Sequence, residues 1–151
     1  MNIKPDDLTS PDVLALVETH LTEMGANDNA VMANTLDLES LKSDDITFFA
    51  VREGETLTGC GAIKELDETH GEIKSMHTER RFRRRGVSAA LLFHMIRLAQ
   101  ERGYKRLSLE THPGPEYKPA RKLYERFGFE LCGPFGDYEA HKYSVFMTRA
   151  I

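Results

Sequence analysis

The order of hydrophobic periods along the chain predicts an α/β fold. Apolar residues three and four apart recur at Leu14, Val17, Leu21 and Met24, again from Val87 to Ala99, and again from Ala120 to Phe127, so three helical stripes are expected. Around them lie short runs rich in β-branched and aromatic residues, Ile46–Val51 being the clearest, which read as strands. The chain has 151 residues, 40% of them hydrophobic and 29% charged, which suits one domain over residues 1–151 with a real core and argues against a disordered, collagen-like or coiled-coil chain.

Each element has its own local reason. Asn2–Lys4 is a short extended start, and Ser10-Pro11 reads as an N-cap followed by proline at the first helical position. The first helix is expected to end at Gly25, a residue that takes the left-handed conformation of a helix C-terminus without steric cost. From Ala26 to Asp45 the pattern is weak and predicts a loop holding at most one short helix. Ile46–Val51 and Thr56–Leu66, joined by Glu53-Gly54-Glu55, form a hairpin, and a second turn at Asp67–Gly71 leads into a strand at Glu72–Thr78, which gives an antiparallel meander. Beyond Gly86 the row Val87, Leu91, Met95 and Leu98, widened by Leu92, Ile96 and Ala99, makes an amphipathic helix that Gly103 ends. Arg106–Thr111 alternates as a strand, Pro113-Gly114-Pro115 forces an irregular link, a helix reaches Gly128, and Ser144–Thr148 is the last strand.

Charge and cysteine usage narrow the function classes. Twenty Lys+Arg against 24 Asp+Glu give −4, so no general nucleic-acid coat is expected and any basic site must be local. Cys60 and Cys132 stand apart with no C-x-x-C spacing, which indicates neither a disulfide framework nor a cysteine zinc site and makes the reducing cytoplasm the default compartment. The start MNIKPDDLTS lacks a basic stretch followed by an apolar one, and no apolar run approaches the ~20 residues that span a bilayer, so no membrane association is expected. His20, His70, His77, His94, His112 and His141 form no H-E-x-x-H or comparable ligand set, so no metal is expected, and no G-x-S-x-G elbow supports serine hydrolysis.

The segment that carries chemistry is a strand, then Glu79-Arg80-Arg81-Phe82-Arg83-Arg84-Arg85-Gly86-Val87-Ser88, then the long helix. A glycine in such a turn lets backbone approach a ligand closely, and the first amides of a helix lack intrahelical partners and can bind phosphate oxygens. The plain alternative is a solvated basic face. The turn is neither a Walker A loop nor the G-x-G-x-x-G dinucleotide fingerprint.

Arg83-Arg84-Arg85-Gly86-Val87-Ser88 resembles the acyl-CoA-binding signature of the GNAT superfamily of N-acetyltransferases, roughly Arg/Gln-x-x-Gly-x-Gly/Ala, with Ser88 at the last position. The resemblance continues in order. Glu72–Thr78 matches the strand before the turn, Val87–Arg102 the central helix and Leu107–Thr111 the next strand. Ala120-Arg121-Lys122-Leu123-Tyr124-Glu125-Arg126-Phe127-Gly128-Phe129 matches the terminal helix signature. Among small bacterial members the chain is similar to those with Glu72-Ile73-Lys74-Ser75-Met76, Leu109-Glu110-Thr111 and Pro134-Phe135-Gly136-Asp137-Tyr138. Tyr117 stands where many members carry asparagine, a departure that bears on one cofactor contact.

The resemblance implies a mixed, largely antiparallel sheet with helices on both faces and acetyl-CoA, as co-substrate, bound where two central strands diverge. It implies that backbone groups of Met76, His77 and Thr78 pair with the pantetheine arm and that amides of Arg83, Arg84, Arg85, Gly86, Val87, Ser88 and Ala89 hold the pyrophosphate. Met76 as plain core is the other reading of that residue. Tyr124 would assist the departing thiolate, although a phenol of pKa ~10 facing a thiol of ~8.5 is a modest acid, and charge stabilisation is its larger role. The alternative is a packing tyrosine. An amine acceptor of pKa ~10.4 must lose a proton before it attacks, and Glu72 and Glu110, on strands that the family places around the reaction centre, are the candidate bases. The acceptor is expected from the side of the first helix, the Ala26–Asp45 loop and Phe135–Tyr138, as a small-molecule or peptide amine. Dimers are common among similar proteins, so a homodimer is left open. The rival class is a non-catalytic acyl-CoA sensor or an RNA-binding module working through Arg80–Arg85, and free thiol release from acetyl-CoA with amines separates the two.

Overall fold

The computed structural model describes residues 1–27 and 38–151. In chain order these are β1 (Asn2–Pro5), α1 (Pro11–Asn27), α2 (Leu38–Leu41), β2 (Ile46–Glu53), β3 (Thr56–Asp67) and β4 (His70–Thr78). A 3₁₀ turn at Arg80–Phe82 leads to α3 (Val87–Glu101) and β5 (Arg106–Thr111). A second 3₁₀ turn at Pro115–Tyr117 precedes α4 (Lys118–Arg126), β6 (Glu130–Cys132) and β7 (Val145–Ala150).

The strands form one seven-stranded sheet in the order β1-β2-β3-β4-β5-β7-β6. Neighbours run antiparallel except β4 and β5, which are parallel because α3 carries the chain back across the sheet between them. The predicted mixed, largely antiparallel sheet is therefore what forms. On one face Val13, Leu16 and Val17 of α1 pack with Phe48, Ala50, Cys60 and Ala62. On the other, Phe49, Val51, Ile63, Ile73, Leu107 and Leu109 meet Val87, Leu91, Leu92, Met95, Ile96 and Ala99 of α3, together with Tyr124 and Phe129. The alternation within each strand divides the two cores.

Two glycines set the depth of α3. A Cβ at Gly59 would lie 2.8 Å from Val87 Cγ1, and one at Gly61 would lie 2.8 Å from Leu91 Cδ2, so these glycines let the helix settle onto β3. Gly61 also faces an irregularity in β4. Cys60 is in register with His77 while Ala62 is in register with Lys74, so Ser75 and Met76 together oppose Gly61, with Ser75 at φ +54°. This bulge inverts the alternation beyond it, turning Met76 toward the α3 face and His77 toward α1.

The second consequence concerns β4 and β5. Their paired positions run from His70↔Arg106 to Ile73↔Leu109 and stop, although β4 continues to Thr78 and β5 to Thr111. The two strands form a fork just past Ile73 and Leu109.

Three details differ from expectation. The expected Val17 and Leu21 of α1 pack toward the sheet, but Val13 and Leu16 are buried beside them and Leu14 is only half-buried. The helix continues through Gly25 to Asn27, since a glycine in a helix interior costs only ~1 kcal/mol. The three residues of β6 were not anticipated, being too few to display a period. Of the predicted Ala26–Asp45 loop, the short helix is α2 at Leu38–Leu41, and residues 28–37 lie outside the described residues.

Candidate active site

β4 ends at Thr78, the chain turns through Arg80–Phe82, and α3 starts at Val87. Arg84 and Gly86 both adopt left-handed backbone, at φ +66° and +82°, and Gly86 is the residue before the helix. The first helical bond is donated by Ala90 N–H to Gly86 O at 3.0 Å, so the amides of Val87, Ser88 and Ala89 come before the intrahelical ladder. The hydroxyls of Ser88 and Thr78 bond each other at 2.6 Å, which ties the strand end to the helix start and occupies the extra hydroxyl of this turn.

The arginines of the turn are not a uniform fringe. Arg83 Nε donates to Thr78 O at 3.3 Å, and Arg83 and Arg80 each reach Glu23 of α1 at 3.7 Å. Arg81 pairs with Glu79 at 3.2 Å, and Arg81 and Arg85 lie over the Phe82 ring, each 5.4 Å from its centroid. Beside them is a cleft of about 720 Å³, with Thr19 and Glu23 of α1, Thr56 and Leu57 of β3, and His77 and Arg80 among the residues that line it.

Met76, His77 and Thr78 lie past the fork, where β3 flanks β4 on one side and β5 has diverged on the other. Met76 is half-buried against the α3-side core, and its sulfur would lie 3.0 Å from a Cβ at Gly61. His77 is turned the other way, its Nδ1 3.1 Å from His20 Nδ1. One ring must donate and the other accept, so both rings cannot be charged at once. Burial, reinforced at His77 by the charge of Arg83 and at His20 by His77, holds each imidazole down to about 4.

Glu72 and Glu110 stand on the sheet face opposite Tyr124, because Ile73, Leu107 and Leu109 between them point into the core that contains Tyr124. Glu72 is only 2% exposed. Its Oε2 accepts from Tyr138 OH at 2.5 Å and from Lys74 Nζ at 3.0 Å, while Lys74 Nζ also donates to Tyr138 OH at 2.7 Å. Burial, then the negative charge and hydrogen bond of Glu72, then Glu110, push the Tyr138 phenol upward. Glu110 is half-buried and accepts from Ser144 Oγ at 2.7 Å.

Tyr124, on α4, is buried, with its ring edge-on to Phe129 at 6.0 Å, and burial pushes its phenol up to about 12. Tyr117 lies in the 3₁₀ turn before α4 with its ring 5.0 Å from that of His112. The structure thus gathers Met76, His77, Thr78 and the 83–89 turn along one path, sets Glu72 and Glu110 on one face of the fork, and leaves Tyr124 on the other. Sequence reasoning missed Lys74, Tyr138, Ser144, His20 and Glu23. Lys74 and Tyr138 lay inside motifs that had been singled out, and their pairing across the sheet carried no local signal. Among the described residues no group of three His, Cys, Asp or Glu side chains is arranged to hold a metal ion.

The acetyltransferase (GNAT) family matches residues 14–129. The chain is similar to a Bacillus subtilis protein named uncharacterized N-acetyltransferase YsnE, with 50% identity over 100% of both chains. It is 42% identical to the Escherichia coli protein named uncharacterized N-acetyltransferase YedL, over 99% of this chain and 94% of that one. Among solved structures, a Klebsiella pneumoniae protein described as an acyl-CoA N-acyltransferase superposes with a TM-score of 0.78 at 28% identity, covering 99% of this chain and 96% of the other.

Proposed function

Because this chain belongs to the GNAT family of acetyltransferases, and is an acetyl-CoA-dependent acetyltransferase, we propose that it transfers acetyl directly to an amine acceptor at the fork between β4 and β5. The observation that carries the reading is the fork itself: β4 runs on past its last β5 partner, Ile73↔Leu109, and leads into the turn before α3. An extended amide-containing arm can pair with the edge of Met76–Thr78 that faces the gap, as an added strand would. The amides of Val87, Ser88 and Ala89 and the left-handed turn at Arg84 and Gly86 suit pyrophosphate oxygens. Arg83, Arg84 and Arg85 add positive charge there.

The two sides of the fork then have separate duties. Tyr124, a neutral phenol in a buried setting, donates a hydrogen bond to the thiolate as it leaves. Glu110 is the base candidate that stands just past the last β4–β5 pair, whereas Glu72 lies before it within the Lys74–Tyr138 ring. A tetrahedral oxyanion forms directly from the amine and the thioester, with no covalent enzyme intermediate.

The test is release of free thiol from acetyl-CoA in the presence of a panel of primary amines, with CoA binding measured by calorimetry. Gly86→Asp is the control. A side chain at φ +82° is strained, and a carboxylate there repels the pyrophosphate, so CoA affinity should fall at least ~100-fold. No CoA binding to the native chain at millimolar ligand would overturn the assignment of this turn.

A further inference from the structure

We propose that Glu72, Lys74 and Tyr138 form a tether that holds the 133–144 segment against the sheet as one wall of the acceptor site, with Tyr138 as the positioning residue that sets acceptor affinity. The word acceptor rests on the acetyl-transfer reading above, and the tether rests on geometry alone.

The ring of bonds is closed. Lys74 donates to Tyr138 and to Glu72, and Tyr138 donates onward to Glu72. The side chains of Lys74 and Glu72 are 8% and 3% exposed, so the ion pair is buried, and its opposite charges cancel. Such a pair contributes little net stability, because desolvating both ions costs about what their attraction returns, and an apolar trio of similar volume would hold a loop as firmly. What the polar ring supplies is direction: each member bonds both of the others, which fixes where the Tyr138 hydroxyl sits.

Its position matches that use. Lys74 is the first β4 residue past the last β4–β5 pair, next to the bulge at Ser75 and two residues before the Met76–Thr78 edge. Tyr138 sits mid-segment, at the end of a turn in which its N–H donates to Phe135 O at 3.1 Å and Gly136 takes φ +55°. Phe135 leans on His70 and Phe146 at 5.9 and 5.8 Å, and Ser144 holds the segment's other end through Glu110. Tyr138 is thus the polar anchor that joins the segment to the strand which also carries the proposed thioester path. If that anchor slackens, the wall moves relative to the thioester while the 83–89 turn stays put.

Hydrogen exchange of the full chain, native and Tyr138→Phe, tests the tether. Amides of 133–144 should exchange at least about tenfold faster in the variant, which loses both hydrogen bonds of the Tyr138 hydroxyl, with β2 and β3 unchanged. Calorimetry should give a CoA affinity within about twofold of native, since the cradle is untouched. With lysine, cadaverine and 2-phenylethylamine as acceptors, the KM for whichever amine releases thiol should rise about tenfold while the KM for acetyl-CoA holds. Should Tyr138→Phe fail to fold, Lys74→Met removes the Lys74 bonds and leaves a carboxyl that can take up a proton and still meet the Tyr138 hydroxyl, and a smaller rise in 133–144 exchange is expected. Unchanged exchange in a folded variant overturns the tether. Equal rises in both KM values make the ring a general structural element and overturn its acceptor role. If native protein binds CoA but none of the amines releases thiol, the acceptor reading falls while the exchange result still decides the tether.

Discussion

Tyr124 is a phenol whose surroundings have removed most of its acidity. Burial pushes it up to about 12, so it stays protonated across any assay from pH 6 to 10, and its part in the proposed reaction is that of a fixed neutral donor. Tyr124→Phe should therefore lower kcat, by at most ~100–10,000-fold, with CoA affinity nearly unchanged and no alkaline limb removed from the pH profile. Thiol release against pH on both proteins checks this, and wild-type turnover by the variant would reduce Tyr124 to packing. At this scale the sequence was informative about residues whose type and spacing are local: Gly86 before the helix, Tyr124 one turn past Ala120. It was silent on Lys74 with Tyr138 and on His20 with His77, because each partner lies more than fifty residues from the other and only the folded sheet brings them together.

Among elements, α1 and β4 are joined by that histidine pair. Both rings are held to about 4, against ~6.5 in an unfolded chain, so between those values the unfolded state binds protons that the folded state does not. Stability from this source is complete above pH ~6.5 and is lost as pH falls toward 4, by roughly 3 kcal/mol for His20. The melting temperature should drop over that window, and His20→Gln should flatten the drop. An equally steep fall in the variant would place the acid sensitivity elsewhere. The helices and the hairpin of β2 and β3 were legible because their periods extend over many residues, and β5 appeared at Arg106–Thr111. β6 was not, since Leu131 is 73% exposed and its neighbours do not contrast with it. In α1 the expected Val17 and Leu21 pack on the sheet, but Val13, Leu14, Leu16 and Val17 offer overlapping apolar rows, and only the sheet selects Val13 and Leu16 over Leu14.

Over the whole molecule, a net charge of −4 coexists with five arginines within six residues, and the structure shows how. Glu23 and Glu79 already neutralise Arg80, Arg81 and Arg83 in part, which leaves a local site suited to a few phosphates. Acetyl-CoA at 100 times its dissociation constant should add ~2.7 kcal/mol and raise the melting temperature by several degrees. Duplex or single-stranded nucleic acid should bind no better than ~10⁻⁴–10⁻⁶ M at physiological salt, measured by anisotropy. Submicromolar binding undisturbed by CoA would favour the nucleic-acid reading. The sheet order could not be read from the sequence, since nothing in β6 or β7 states that β7 inserts between β5 and β6. The fork has a mechanical meaning as well. β1–β4 and β5–β7–β6 are two half-sheets whose shared ladder runs only from 70–73 to 106–109, so the strand pairing between them is short beside the proposed site. A ligand laid along that gap acts as a splint across the two halves. Exchange of the 76–78 and 110–111 amides should slow when CoA binds, and the unliganded enzyme should yield first along this seam as denaturant is raised.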